Sequence, residues 1–445
     1  MSSPSIRNVV LVGHNGNGKT TLAEAMLYRA GVVGRMGRVD EGTAHCDHDP
    51  EEKARNQSLS ASVASFAWRD HRMNIIDTPG YTDFVGEAVN GMHAADLAVF
   101  VVDAVSGVQA QDQVMWRHAE RLGLPRMVFV NGLDRERSSF ERTLDDLQSH
   151  FGSRVEAVEL PMGAEASFHG IADLVGDSAL DYSSGQSAAA SIPDDMAPAA
   201  SDGHTQLVED VVEGDDELLE QYLEGVEPDQ EQLERLIGDA VRDRTVFPVL
   251  CGSAAKPIGV DHLLDFIGRV GPAGGATGPV AAVRGGESVE LDMDSAGSPV
   301  ALVFKTRIDD FLGQISFIKV LSGTIRANDT LVNSRTSDKE RLHNLMSFTG
   351  ADHESTDHVA TGDIAAVTKL GNVRTGDTLS NDVALSVPIT PPPTPVYGVA
   401  IHASAPAQED KLASALRRFA TEDPSLQIRQ DPTTRQTVLS GAGEA

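Results

Sequence analysis

The stretch that most limits the fold is "NVVLVGHNGNGKTTLAEAML", residues 8–27. An apolar strand runs into Gly13 and a helical pattern begins at Lys19, so a glycine-rich turn joins strand to helix. In that context G-x-x-x-x-G-K-[ST] acts as a phosphate-binding loop. Gly13, His14, Asn15, Gly16, Asn17 and Gly18 would lay backbone N–H groups around phosphate oxygens, with the glycines permitting close approach. Lys19 would neutralise the β- and γ-phosphates, and the Thr20 hydroxyl would take a magnesium position. Thr21 continues the helix and has a weaker claim. A glycine-rich turn with a surface lysine is the plain alternative.

The rest of the first 150 residues fits such a start, because strand-like and helix-like segments alternate. Strands separated by helical crossovers imply a mostly parallel sheet covered on both faces. The stretch 176–203 is small, polar and proline-bearing, and part of it is expected to be mobile. Two acidic helices, near 204–224 and 229–243, precede "TVFPVLCGSA", where the sheet resumes. Residues 158–245 therefore read as an insertion within a nucleotide-binding domain at 1–275, followed by a linker at 276–297. Short strands with Gly and Asn-Asp turns at 298–388 suggest a small β-barrel. A strand–helix–strand–strand unit fills 389–445.

Composition narrows the setting. The formal net charge is −30, so bulk electrostatics oppose nucleic acid; no free DNA partner is expected, and any RNA contact needs local basic faces. The longest apolar run, "LAVFVVDAV", is too short to cross a bilayer, so no membrane partner is expected. Cys46 and Cys251 make no disulfide framework, and no signal peptide is apparent, which points to the cytoplasm.

Three further motifs complete a candidate site. In "NIIDTPGY" the strand ends at Asp77, an acidic partner for the magnesium at Thr20, and Gly80 can offer its N–H to a γ-phosphate. In "VNGLD" the Asp134 carboxylate can accept two hydrogen bonds from the N1–H and amino group of guanine, a pattern adenine lacks. Asn131 would tie this base-reading loop to the phosphate loop. "GSAAK" follows the last strand with Ser253 and Ala254, whose N–H could meet the guanine oxygen. The strand-end turn is the plain reading of the last motif alone.

In this order the motifs resemble a translational GTPase of the elongation factor G type, nearest its divergent bacterial paralogues. "GHNGNGKTTL", "DTPGYTDFVGE", "VFVNGLDR", "VLCGSAAKPIGVDHLLD", "GDIAAVTKLGNVRTGDTL" and "EDKLASALRRFATEDPSL" carry the likeness. The resemblance implies an α/β P-loop GTPase domain with an inserted subdomain, a β-barrel, and a partial ferredoxin-like α+β domain. It implies GTP or GDP with Mg2+, a monomer, and docking at the ribosomal factor site and large-subunit stalk. The family pattern continues beyond this sequence with domains that drive translocation, so translocation is not expected from this chain alone.

Four departures matter. Gly16 stands where the family has aspartate, and Ser58 aligns with the switch threonine that offers its hydroxyl to magnesium. Gly132 replaces a lysine whose stem covers the base, so Gly132→Lys is expected to tighten guanine binding. Tyr81 replaces the catalytic histidine that orients water; with a pKa near 10 a phenol is not cationic at neutral pH. The expectation is a slow GTPase with Tyr81 and Lys19 as the catalytic groups and Thr20, Ser58 and Asp77 as the metal set. A non-hydrolysing GTP/GDP-dependent ribosome-binding protein and a class-II peptide-release GTPase remain as alternatives.

Overall fold

The computed structural model describes residues 5–444. They divide into two compact units: the chain up to Ser58 with Ser62–Thr78 and Ala95–Ala273, and Leu59–Ala61 with Pro79–Ala94 and the chain from Gly274 on. In chain order the early elements are β1 (Ser5–Val12), α1 (Lys19–Arg29), α2 (Pro50–Arg55), β2 (Ser62–Trp68), β3 (His71–Asp77), α3 (Val85–Ala94), β4 (Leu97–Asp103), α4 (Ala110–Arg121), β5 (Arg126–Asn131) and α5 (Phe140–Phe151). There follow β6 (Val155–Ala157), β7 (Glu159–Met162), β8 (Gly170–Asp173), β9 (Ser178–Asp181), β10 (Ala188–Ala190), α6 (Ala197–Val212), α7 (Asp216–Leu223), α8 (Gln230–Asp243), β11 (Phe247–Gly252) and α9 (Val260–Val270).

The sheet of the first unit runs β2-β3-β1-β4-β5-β11-β6. Only β2 is antiparallel to its neighbour; the pairings from β3 to β6 are parallel. Every residue of β4, β5 and β11 is buried, as expected of parallel strands covered on both faces. Register sets the strand ends level: Leu11 faces Asp77, and Asn131 faces both Asp103 and Gly252. The loops after these strands thus emerge on one edge, where open parallel sheets bind ligands.

The polar stretch 176–203 is more ordered than its composition predicts. It holds β9, β10 and the start of α6, and β7–β10 form an antiparallel sheet. Tyr182, its one aromatic, is buried and donates to Asp261 Oδ1 at 2.7 Å, while Ser187 donates to Asp261 Oδ2 at 2.6 Å. The helical part contains three helices where two were expected. Asp215 accepts from Glu217 N and Leu218 N and starts α7, which divides the segment. The edge strand β6 was not foreseen, and its three residues are too few to show a period.

A buried charged cluster stands where the small sheet meets α9. His262 Nδ1 hydrogen-bonds Glu159 Oε1, its Nε2 lies 3.3 Å from Asp173 Oδ2, and Cys251 N donates to Glu159 Oε2 at 2.8 Å. Burial opposes a charged His262, but the two carboxylates raise its pKa to about 10.

In the second unit the expected linker contains a hairpin, β12 (Val280–Arg284) with β13 (Glu287–Leu291), turning at Gly285-Gly286. That corrects the linker at 276–297: β12 also pairs with Leu385–Ser386, and Ala282 is buried. β14 (Val300–Asp309) and β15 (Gly313–Ser322) form a long hairpin at the centre of a β-rich region. Lys305 on β14 is buried; it bonds Ser60 and sits 2.5 Å from Glu87 of α3, which accepts from Ala61 N at 2.7 Å. The last region has helix Glu409–Glu422 and antiparallel strands Tyr397–Ile401, Thr437–Gly441 and Gln427–Gln430 in that spatial order. No helix among the described residues is long and apolar enough to cross a membrane.

Candidate functional site

The phosphate loop hangs from the buried end of β1. Asn17 Nδ2 donates to Val101 O at 2.9 Å, which holds the loop to β4, while Asn15 and Gly16 are exposed at its crown. Gly18 has φ 89°, and a Cβ there would lie 2.5 Å from Asn131 Nδ2, so only glycine fits. Helix α1 then begins with no acidic residue in its first turn, leaving its N-terminal N–H groups and dipole to favour an anion. Lys19 Nζ donates to Gly13 O at 3.0 Å and His14 O at 2.9 Å. Burial lowers the Lys19 pKa, a penalty that incoming phosphate charge would relieve. Thr21 is half-buried one residue beyond Thr20.

Asp112, absent from the sequence reading, also supports this loop. It is fully buried in the first turn of α4 and accepts from His14 N at 2.7 Å and Gln109 N at 2.8 Å. Burial raises its pKa to about 6.

Beside the loop lies a cluster of oxygens. Thr20 Oγ1 and Ser58 Oγ are 3.0 Å apart, which brings two of the expected metal residues together. Asp77 hydrogen-bonds Thr20 and is 2% exposed, yet its Oδ1 is buried without a hydrogen-bond partner. Asp47, a second residue unseen in the sequence, hydrogen-bonds Ser58 and likewise has a buried, unpartnered Oδ2. Burial raises both carboxyl pKa values, and acidic neighbours raise them further. Two hydroxyls and two orphaned carboxylate oxygens are hard ligands, and the set fits a small divalent cation such as magnesium.

The base-reading elements also converge. Asn131 Nδ2 donates to Asn17 O at 2.8 Å, as expected for a tie to the phosphate loop. Its Oδ1 accepts from Ala254 N at 2.8 Å. The Ala254 N–H expected to meet the guanine oxygen is therefore engaged by Asn131 and would have to be shared with a base. Ser253 Oγ accepts from Lys256 N at 3.2 Å and so shapes the same turn. Asp134 keeps a buried Oδ1 without a hydrogen-bond partner, while its Oδ2 lies 3.4 Å from Lys256 Nζ.

Gly80 and Tyr81 belong to the second unit. Tyr81 precedes a short 3-10 turn, Thr82–Phe84, and its side chain is 37% exposed, not buried in a core.

A phosphate loop, an acidic strand end and an Asn–Asp base loop on one edge of a parallel sheet define a P-loop nucleotide-binding protein. Residues 4–273 match the Elongation factor Tu GTP binding domain, residues 298–382 Elongation factor G domain 2, and residues 392–445 Elongation Factor G, domain III. The chain belongs to this GTPase family, in the domain arrangement of an elongation-factor-G-like translational GTPase. A crystal structure of a protein from Thermus thermophilus is similar, with 34% identity and a TM-score of 0.88 over 99% of this chain. The present chain spans 64% of that protein.

Proposed function

We propose that this chain is a magnesium-dependent GTPase of slow turnover that acts at the ribosome. The observation that carries the nucleotide part is the convergence of Thr20, Ser58, Asp47 and Asp77 beside the phosphate loop, with two carboxylate oxygens left unpartnered. Magnesium bound there would supply positive charge against the β- and γ-phosphates. Lys19 would leave the carbonyls of Gly13 and His14 for the phosphates, and the backbone N–H groups from Gly16 to Thr21 would hold the oxygens. Asp134 would select guanine, with Asn131 bracing the base loop against Asn17. Gly80 would offer its N–H to the γ-phosphate. The hydroxyl of Tyr81, a residue 37% exposed, can position a water, but a phenol supplies no positive charge where charge develops, so chemistry should be slow. Ribosome docking rests on the family and its domain arrangement. The second reading, a GTP/GDP-dependent ribosome-binding protein that does not hydrolyse, is favoured by the same Tyr81.

One experiment separates these readings. Calorimetry with GDP, GTP and ATP is followed by single-turnover phosphate release, with and without ribosomes, from the wild type, Tyr81→His and Tyr81→Phe. The expected result is guanine binding preferred over adenine by at least about a hundredfold. Tyr81→His should release phosphate about tenfold or more faster with ribosomes, at nearly unchanged GTP affinity. Tyr81→Phe should be slower than wild type. Equal ATP and GTP affinities would sink the guanine assignment. Equal rates in all three proteins would mean that Tyr81 takes no part in hydrolysis.

A further inference from the structure

We propose that Arg135 is a nucleotide-binding residue that covers the plane of the purine whose edge Asp134 reads, an inference that rests on the guanine-nucleotide reading above. Gly132 has φ 80°, and a Cβ built on it would lie 3.1 Å from Arg135 Cδ and 3.8 Å from Arg135 Nη1. The space a side chain at position 132 would enter is filled by the arm of Arg135. The turn that returns this arm is closed by Arg135 N donating to Gly132 O at 3.1 Å. At its far end, Arg135 Nη1 lies 2.5 Å from Asp103 Oδ2, a carboxylate buried at the end of β4. Asp103 is also held by Val105 N at 2.7 Å and stands in register with Asn131.

The arm therefore runs across two strand tips, from the loop bearing the unpartnered Asp134 Oδ1 to the strand beside β1 and its phosphate loop. The Arg135 side chain remains 55% exposed although its head is pinned. A planar guanidinium fixed by a buried carboxylate, on a side chain more than half exposed, is suited to stack on an aromatic ring. Its methylene stem offers apolar cover along the same line. Neither contact depends on which groups the base edge carries, so Arg135 holds a purine while Asp134 chooses which purine.

This geometry changes the expectation for Gly132→Lys. A lysine at that φ is strained, and its Cβ would press on Arg135 Cδ, so it should not tighten binding in the wild-type background. It should restore cover once Arg135 is truncated.

The test measures affinities of GDP, inosine diphosphate and inorganic tripolyphosphate for the wild type, Arg135→Ala, Arg135→Lys and Arg135→Ala/Gly132→Lys. Arg135→Ala should weaken both nucleoside diphosphates by about tenfold and leave tripolyphosphate unchanged. Arg135→Lys retains a cation beside Asp103, so it folds even if truncation leaves that carboxylate too poorly paired. It should lose about threefold on both nucleotides, because the plane is gone while the stem remains. The double variant should recover most of the loss. Unchanged nucleotide affinity in both single variants overturns the inference, as does an equal fall for tripolyphosphate, which would mark a loop-bracing role. No GDP binding by the wild type would overturn the nucleotide reading itself, and the inference with it.

Discussion

The strands Leu97–Asp103 and Tyr397–Ile401 are both apolar and both paired, but they sit in different surroundings. All residues of the first are buried between helical layers, while four of the five in the second are exposed. Helix Glu409–Glu422 buries only Leu416. Phe419 on that helix, and Val396, Tyr397, Val399 and Ile428 in the same region, stay exposed. Backbone pairing and side-chain burial are thus separate achievements. A strand pattern in sequence secures the first, and only a covering layer delivers the second, which supplies most of the stabilisation.

The sharpest way to break this comparison is to truncate one large side chain in each region. Phe129 on β5 is fully buried, and Phe129→Ala should cost about 3–5 kcal/mol through lost transfer energy and the cavity left behind. Val399 is 46% exposed, and Val399→Ala should cost less than about 0.5 kcal/mol. Denaturant titration of both variants measures the difference. A comparable loss for Val399→Ala would show that the last region has a cover that these exposures do not reveal.

The contrast also explains which parts were legible in the sequence. Lys19, Thr20, Asp77, Asn131 and Asp134 each belong to a short contiguous motif at a strand end, so spacing alone brought them to one edge of the sheet. Asp47 and Asp112 lie in no such motif. One reaches the site through the loop after α1, the other from the first turn of α4, and neither path leaves a local pattern. Ser58, which alignment rather than periodicity singles out, lies with its hydroxyl 3.0 Å from that of Thr20. The fold divides in the same way. The apolar strands of the parallel sheet were clear, whereas polar 176–203 looked mobile because its order depends on Tyr182 and Ser187 meeting a distant Asp261. The hairpin at 280–291 was hidden within a glycine-rich composition that also suits a linker.

A second, smaller contrast concerns opening. Amides of Tyr397–Ile401 and Gln427–Gln430 should exchange at least about a hundredfold faster than those of the β14–β15 hairpin, because few buried contacts oppose local opening. The comparison stays within the second unit, where Ile318 and Val320 are fully buried and Ile428 is 37% exposed. Native-state hydrogen exchange followed peptide by peptide measures it. Uniformly slow exchange to the last strand would mean that pairing alone protects this region, and the distinction drawn here would fail.

A third contrast tests whether burial in the first unit extends to charge. His262 lies between Glu159 and Asp173, and its pKa is raised from 6.5 to about 10 against the cost of burial. A histidine with a raised native pKa stabilises fully below its unfolded value and loses that contribution as pH climbs through the native one. Asp173 is pulled below its ordinary value by the same imidazolium despite its own burial, so its share is lost only as the pH falls below the normal aspartate range. Unfolding free energy of the first unit should thus decline between pH 6.5 and pH 10, by about 1 kcal/mol per pH unit if one proton is retained. In His262→Gln the protein should be less stable at neutral pH, because two buried carboxylates lose their cation. Its decline across that interval should be shallower, leaving only the share of Glu159, whose pKa burial raises. Denaturant midpoints taken at half-unit steps, with the second unit's signal resolved by exchange, distinguish the two slopes. Parallel slopes for wild type and His262→Gln would mean that the proton is not held at His262, and that the small sheet is fixed to α9 by packing and neutral hydrogen bonds alone.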